Sequence, residues 1–94
     1  MKKLTSNEID LIIAQLPKWK LIENKIERDF VFANFMEGIE FVNKVAKLAE
    51  EKDHHPDILL FNYRNVRITL STHSVGGLTE NDFNFAEELN RRFW

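Results

Sequence analysis

Ninety-four residues are enough for one domain with a modest core, expected to span residues 1–94. Hydrophobic residues make up 44% and charged residues 30%, an ordinary balance for a globular chain, and a formal net charge of −2 argues against a general nucleic-acid binder, which carries a basic excess. The absence of cysteine removes disulfides, thiolate nucleophiles and cysteine-based zinc sites, and is compatible with a reducing cytoplasm, the expected location.

Met1-Lys2-Lys3 runs into Leu4-Thr5-Ser6-Asn7-Glu8 with no apolar h-region, so no signal peptide is expected. No apolar run reaches transmembrane length, so no membrane partner is expected either. Leu4 to Leu16 reads as a first helix. Thr5 and Glu8 have capping-box spacing, Leu4 and Ile9 are placed for a hydrophobic staple, and Ile9, Ile12, Ile13 and Leu16 recur at helical intervals until Pro17. Trp19 to Ile22 and Lys25 to Phe32 read as strands joined by a Glu23-Asn24 turn. Ile26, Arg28, Phe30 and Phe32 share one face of the second.

Asn34 is placed to cap a long helix running to about Lys52. Ile39, Val42, Val45, Ala46 and Ala49 form a stripe on it, widened by Phe41 and Leu48, while Gly38 costs about 1 kcal/mol of helix propensity near its start. Glu50-Glu51-Lys52-Asp53 reads as its solvated end. Pro56 disfavours helical geometry at His55, so the helix is over by then. Ile58 to Tyr63 and Val66 to Thr72 read as two more strands about an Arg64-Asn65 turn. Extended geometry through Ser71 would put His73 on the polar side of the last strand, before Gly76-Gly77. In a last helix, Thr79 caps, Asp82 takes the third position, Leu78 can staple to Phe83, and Phe83, Ala86, Leu89, Asn90 and Phe93 form the inward stripe. The order α-β-β-α-β-β-α, with two hairpins around a long helix, predicts an α+β domain whose helices cover one face of a four-stranded antiparallel sheet.

All three histidines fall in two short stretches, Asp53-His54-His55-Pro56 and Ser71-Thr72-His73. Histidine is the side chain whose ordinary pKa suits proton exchange near neutrality, so this concentration points to an acid–base enzyme. A solvated helix–strand loop is the bland alternative for His54-His55. A three-histidine zinc site is disfavoured, because adjacent histidines rarely turn to the same ion and no dedicated carboxylate ligand is evident. Phe30, Phe32, Phe61 and Tyr63 could imitate the base-stacking aromatics of an RNA-binding sheet, but their apolar context and the acidic balance favour core or interface.

Glu50, His54-His55-Pro56, Tyr63, Ser71-Thr72-His73, Gly77-Leu78-Thr79 and Asp82 stand in an order and spacing that resembles the pterin-4a-carbinolamine dehydratase family. The likeness extends to Leu4-Thr5, Glu8-Ile9, Trp19 and the alternation of Val66, Ile68 and Leu70, over nearly the whole chain. The resemblance implies elimination of water from a 4a-hydroxytetrahydropterin to give the quinonoid dihydropterin, recycling a tetrahydrobiopterin-type cofactor, with no metal and no cofactor of the protein's own. It implies that His54 and His73 act as acid and base on the 4a-hydroxyl, and that His55 binds and orients the pterin and helps with proton transfer. Asp53, Ser71, Thr72 and Ser74 would flank the ring, Ser74 standing where animal relatives often carry Glu. Trp19 and Pro56 match positions near the site, with core packing and helix breaking as their competing roles. Asp82 is both a supporting residue and a helix cap. The resemblance further implies a homodimer or homotetramer. Animal members also bind a homeodomain transcription factor, which makes a non-enzymatic protein-binding module the alternative.

Overall fold

The computed structural model describes residues 2–93. Residues 1 and 94, the ends of the expected domain and the first residue of the segment read for a signal peptide, lie outside the described residues. The element order is α1 (Ser6–Ile13), β1 (Lys20–Ile22), β2 (Lys25–Val31), α2 (Phe35–Lys52), β3 (Asp57–Phe61), β4 (Asn65–Leu70), a single 3-10 turn (His73–Val75) and α3 (Glu80–Phe93). The strands form one antiparallel sheet in the order β1-β2-β4-β3, so the chain has the expected α+β class. Two compact units partition it: residues up to Glu27 with those from Leu70 onward, and Arg28–Thr69. No helix among the described residues is long and apolar enough to cross a membrane.

In the first unit, the capping box at α1 forms as its sequence dictates. The Thr5 amide donates to Glu8 Oε1 at 2.8 Å and the Glu8 amide donates to Thr5 Oγ1 at 3.2 Å. The helix ends at Ile13 rather than Leu16. Pro17 disfavours helical geometry at the residue before it, and the chain tightens ahead of that obstacle. Gln15 and Leu16 donate to the carbonyls of Ile12 and Ile13, three residues back, and Lys18 then turns the chain with a φ of 72°. β1 pairs with β2 through Leu21↔Ile26, and Ile22↔Lys25 closes the expected two-residue turn. On α3, Phe83, Ala86, Leu89 and Asn90 are buried as expected. Phe85, off the expected stripe, is buried as well, so the apolar face of this helix is wider than one stripe.

In the second unit, α2 starts at the expected cap, with the Glu37 amide donating to Asn34 Oδ1 at 2.9 Å. Its buried residues are Gly38, Phe41, Val45, Leu48 and Ala49. Ala46 is exposed, so the stripe is rotated from the expected one toward Phe41 and Leu48. Phe41 lies against Phe30 and Phe32, with ring centroids 4.6 and 4.9 Å apart, which fixes which face turns inward. Gly38 is thereby explained. A Cβ built there would stand 3.2 Å from Leu60 Cδ1 and 3.8 Å from Val66 Cγ2, so the missing side chain lets α2 approach β3 and β4 closely. Arg28, only 5% exposed, lays its guanidinium over the Phe30 ring at 4.0 Å, and burial lowers its pKa from the ordinary value.

The β3–β4 turn comprises Asn62, Tyr63 and Arg64 rather than Arg64-Asn65, closed by the pair Phe61↔Asn65. Asn62 and Tyr63 both have positive φ, 46° and 53°, so Tyr63 belongs to the turn and not to the strand. β4 alternates as expected: Val66, Ile68 and Leu70 are wholly buried, while Arg67 on the opposite face pairs with Asp29 at 2.7 Å. The strand stops at Leu70, two residues early, because Thr72 leaves it to bridge Gly77.

Two outcomes test this packing. Gly38→Val should lower the unfolding free energy by about 2 kcal/mol in urea denaturation, because two methyl groups must enter a gap already filled by Leu60 and Val66. At the first cap, the Thr5 amide, and secondarily its hydroxyl, hold the Glu8 carboxyl below its ordinary value. A depressed folded pKa contributes stability that is present above the unfolded value of about 4.5 and is lost as pH falls through the lower folded one. Thermal melts of the parent and Glu8→Gln should therefore differ at neutral pH and converge as the acid limb is crossed.

Candidate active-site segments

The second unit carries Asp53, His54, His55 and Pro56 on the exit from α2. The helix ends in a left-handed residue, Asp53, with φ 50° and ψ 44°. Its amide donates to Glu50 O at 3.4 Å and the His54 amide donates to Ala49 O at 3.1 Å. This is a Schellman closure with Asp where Gly is usual. It reverses the chain so that residues 54 and 55 pass back beside the last helical turn, and Pro56 then holds His55 extended for entry into β3.

The consequence is a contact that the sequence reading missed. His55 Nε2 lies 2.6 Å from Glu50 Oε2. Glu50 belongs to the expected solvated helix end, and its side chain is largely exposed, yet it is also the partner of a candidate histidine. A carboxylate can only accept, so the bond calls for a proton on Nε2 and leaves Nδ1 outside it. His54 is half-buried and Asp53 is exposed. Only the helix reversal, which the sequence did not signal, makes a residue five positions back a neighbour.

The first unit carries Trp19, Ser71, Thr72, His73, Ser74 and Asp82. His73 opens the 3-10 turn instead of ending a strand, so its expected strand-side placement is replaced by a loop position. The Thr72 amide donates to Gly77 O at 2.7 Å, and Thr72 O accepts from Val75 N at 3.2 Å and Gly77 N at 3.4 Å. Four residues are thus looped out between Thr72 and Gly77, with His73 first among them. Gly76, at φ 64°, supplies the left-handed residue this tight return requires. From outside, Asn24 Nδ2 donates to Gly76 O at 3.0 Å. His73 and Ser74 are exposed and Ser71 is half-buried.

Below this loop sits a buried polar cluster. Asp82 is completely buried, and its Oδ2 accepts from Thr79 N at 3.0 Å and Thr72 Oγ1 at 2.8 Å. Thr79 Oγ1 lies 2.8 Å from Thr72 Oγ1 and accepts from Asn81 N at 3.3 Å. Asp82 is therefore the helix cap expected of its position, and it also reaches the residue preceding His73. Trp19 is core: its Nε1 donates to Asn90 Oδ1 at 2.8 Å, and Asn90 Nδ2 donates to Pro17 O at 3.0 Å. A polar Asn on the buried stripe of α3 was the available signal for such a partnership.

Asp53→Gly should raise the unfolding free energy by about 1 kcal/mol, since a left-handed L-residue costs that order and Gly does not bear it. Asp53→Val should lower stability instead, because a β-branched residue tolerates positive φ poorly. Paired denaturant titrations read both.

The comparisons agree with the resemblance. The family profile described as pterin 4 alpha carbinolamine dehydratase matches residues 2–92. A protein of Picosynechococcus sp. named "Putative pterin-4-alpha-carbinolamine dehydratase" is 49% identical over 84 residues, covering 89% of this chain and 90% of its own length. One of the same name from Sulfolobus acidocaldarius is 44% identical, covering 95% and 97%. Among solved structures, a transcriptional coactivator/pterin dehydratase from Brucella melitensis superposes with a TM-score of 0.88 at 34% identity, covering 96% of this chain and 97% of that one. A pterin dehydratase-like protein described as a RuBisCO assembly factor in the alpha-carboxysome matches at a TM-score of 0.61 and 26% identity, covering 78% and 83%. With a family match over nearly its whole length, and relatives this similar, the chain belongs to the pterin 4 alpha carbinolamine dehydratase family.

Proposed function

We propose that the protein dehydrates a 4a-hydroxytetrahydropterin to the quinonoid dihydropterin, in a cytoplasmic cofactor-recycling role, and that His54, His55 and His73 carry the chemistry. The observation that carries the reading is the family match over residues 2–92, in a chain whose three histidines fall in the two segments that the resemblance singles out. The reaction breaks the C4a–O bond, removes the N5 proton and releases water. Hydroxide is a poor leaving group, so an acid must protonate the departing oxygen, and a base must accept the N5 proton. In these roles His54 and His73 exchange protons at the 4a-hydroxyl and N5, each transfer typically worth about 10²–10⁴-fold. His55, turned toward Glu50, orients the pterin. The resemblance would add Asp53 and Pro56 next to His54 and His55, and Ser71 and Ser74 next to His73, as substrate-binding residues. The balance of atoms requires no redox partner and no covalent intermediate.

A second reading is favoured by surface composition. Val31, Phe35, Met36, Leu59 and Tyr63 of the second unit are all about half exposed or more. Isolated exposed apolar residues need no explanation, but several within one unit suit subunit contact, and we propose a homodimer or homotetramer. A protein-binding role is the non-enzymatic alternative, the Brucella relative being described as a transcriptional coactivator as well as a pterin dehydratase.

The decisive measurement is the dehydration rate of 4a-hydroxytetrahydropterin after metal chelation. His54→Ala and His73→Ala should each lose about 10²–10⁴-fold while circular dichroism shows an unchanged fold. His55→Ala should chiefly raise KM. A parent protein that does not accelerate dehydration would sink the enzymatic reading in favour of the binding module.

A further inference from the structure

We infer that Thr72 is a positioning residue for His73, and that its hydroxyl is spent in a buried ring with Thr79 and Asp82 rather than on substrate. The inference rests on the reading of His73 as an acid–base group.

Proton bookkeeping gives the ring a direction. An Asp82 carboxylate can only accept. The Thr72 hydroxyl proton therefore goes to Asp82 Oδ2 at 2.8 Å. Thr72 Oγ1 has then used its one proton, so across the 2.8 Å gap to Thr79 Oγ1 the donor must be Thr79. Thr79 Oγ1 in turn accepts from Asn81 N, and Thr79 N donates back to Asp82 Oδ2, which closes the ring.

The backbone of Thr72 is equally committed. Its amide donates to Gly77, and its carbonyl accepts from Val75 and Gly77. Thr72 is only 8% exposed, and each of its polar atoms has a partner within its own unit. The resemblance placed Thr72 beside the pterin ring; the structure instead makes it the anchor of the loop in which His73 is the next residue. The far end of that loop is held by Asn24 on Gly76 and packed by Lys3, whose Cε lies 2.6 Å from where a Gly77 Cβ would stand. His73 is an exposed side chain on a backbone fixed at both ends, which is what an acid–base group needs if its ring is to meet substrate without reorganising. Misplacement by about 1 Å can cost about 10²-fold in rate.

Steady-state dehydration of 4a-hydroxytetrahydropterin by the full chain tests this, with melting midpoints taken alongside. Thr72→Val removes the hydroxyl at nearly constant volume and should lower kcat by about 10²-fold with KM within about twofold. Thr72→Ser restores the hydroxyl and should recover kcat to within about threefold of the parent. A raised KM with kcat preserved in Thr72→Val would overturn the inference, because the hydroxyl would then be a substrate contact. Equal losses in Val and Ser would overturn it too. Should Thr72→Val not fold, Asn24→Ala releases the same loop from its exposed side and should lower kcat several-fold at constant KM; unchanged kcat there would count against the proposal. His73→Ala separates the two levels. Parental kcat in His73→Ala rejects the acid–base reading itself, whereas a large loss in His73→Ala beside a parental Thr72→Val rejects only the positioning role.

Discussion

A carboxylate with no exposure to water is the constraint to which much of the first unit answers. Burying an ionised carboxylate is costly unless it is hydrogen-bonded, and removing its partners would leave an uncompensated charge. Asp82 meets that demand with a backbone amide and a threonine hydroxyl, and its place in the first turn of α3 adds the favourable end of the helix dipole. The partners come from either side of the His73 loop, Thr72 before it and Thr79 after it. Satisfying one buried charge therefore ties the exit of β4 to the entrance of α3 and sets the width of the loop between them. β4 ends at Leu70, earlier than its apolar alternation predicts, because Thr72 must leave the ladder to make these bonds.

The second unit solves a comparable problem by a different device. Its histidine segment follows a helix rather than a strand, and the reversal is made by backbone: two amides returning to Ala49 and Glu50 across a left-handed Asp53. The helix that carries this reversal is set down on the sheet by Gly38 and Phe41, at the opposite end from the histidines. A change at Gly38 would thus shift the whole of α2, and with it the point where the chain turns back toward β3. Packing at one end of the helix thus bears on the placement of the segment that leaves its other end.

The elements with strong local signals were legible in the sequence. The Thr5–Glu8 box, the Asn34 cap, the alternation of β4 and the Thr79–Asp82 spacing are encoded within a few residues, and each forms. Boundaries set by longer-range or conformational demands were not. Nothing local says that Tyr63 takes positive φ, since β-propensity favours an aromatic residue in a strand, yet closure of Phe61 on Asn65 requires a left-handed turn there. Gly38 read as a propensity defect, because its value lies in Leu60 and Val66, more than twenty positions away. The family resemblance lies in the residues themselves, whereas the hydrogen-bond partners that give them their places, Glu50 to His55 and Thr79 to Thr72, exist only in the fold.

These partners divide the polar residues in and around the two segments into distinct kinds. A group whose proton is given to a partner inside the protein has no donor left to offer a ligand. Thr72, Thr79 and Trp19 are of this kind, with their side-chain polar atoms turned to Asp82, Thr72 and Asn90. His55 is different, because an imidazole held through Nε2 still offers Nδ1. His73 is different again: its backbone is caged while its ring is exposed. The useful criterion is which polar atoms remain uncommitted once the fold has satisfied its own demands, and by that criterion the residue beside His73 belongs to the frame, while the exposed ring of His73 does not.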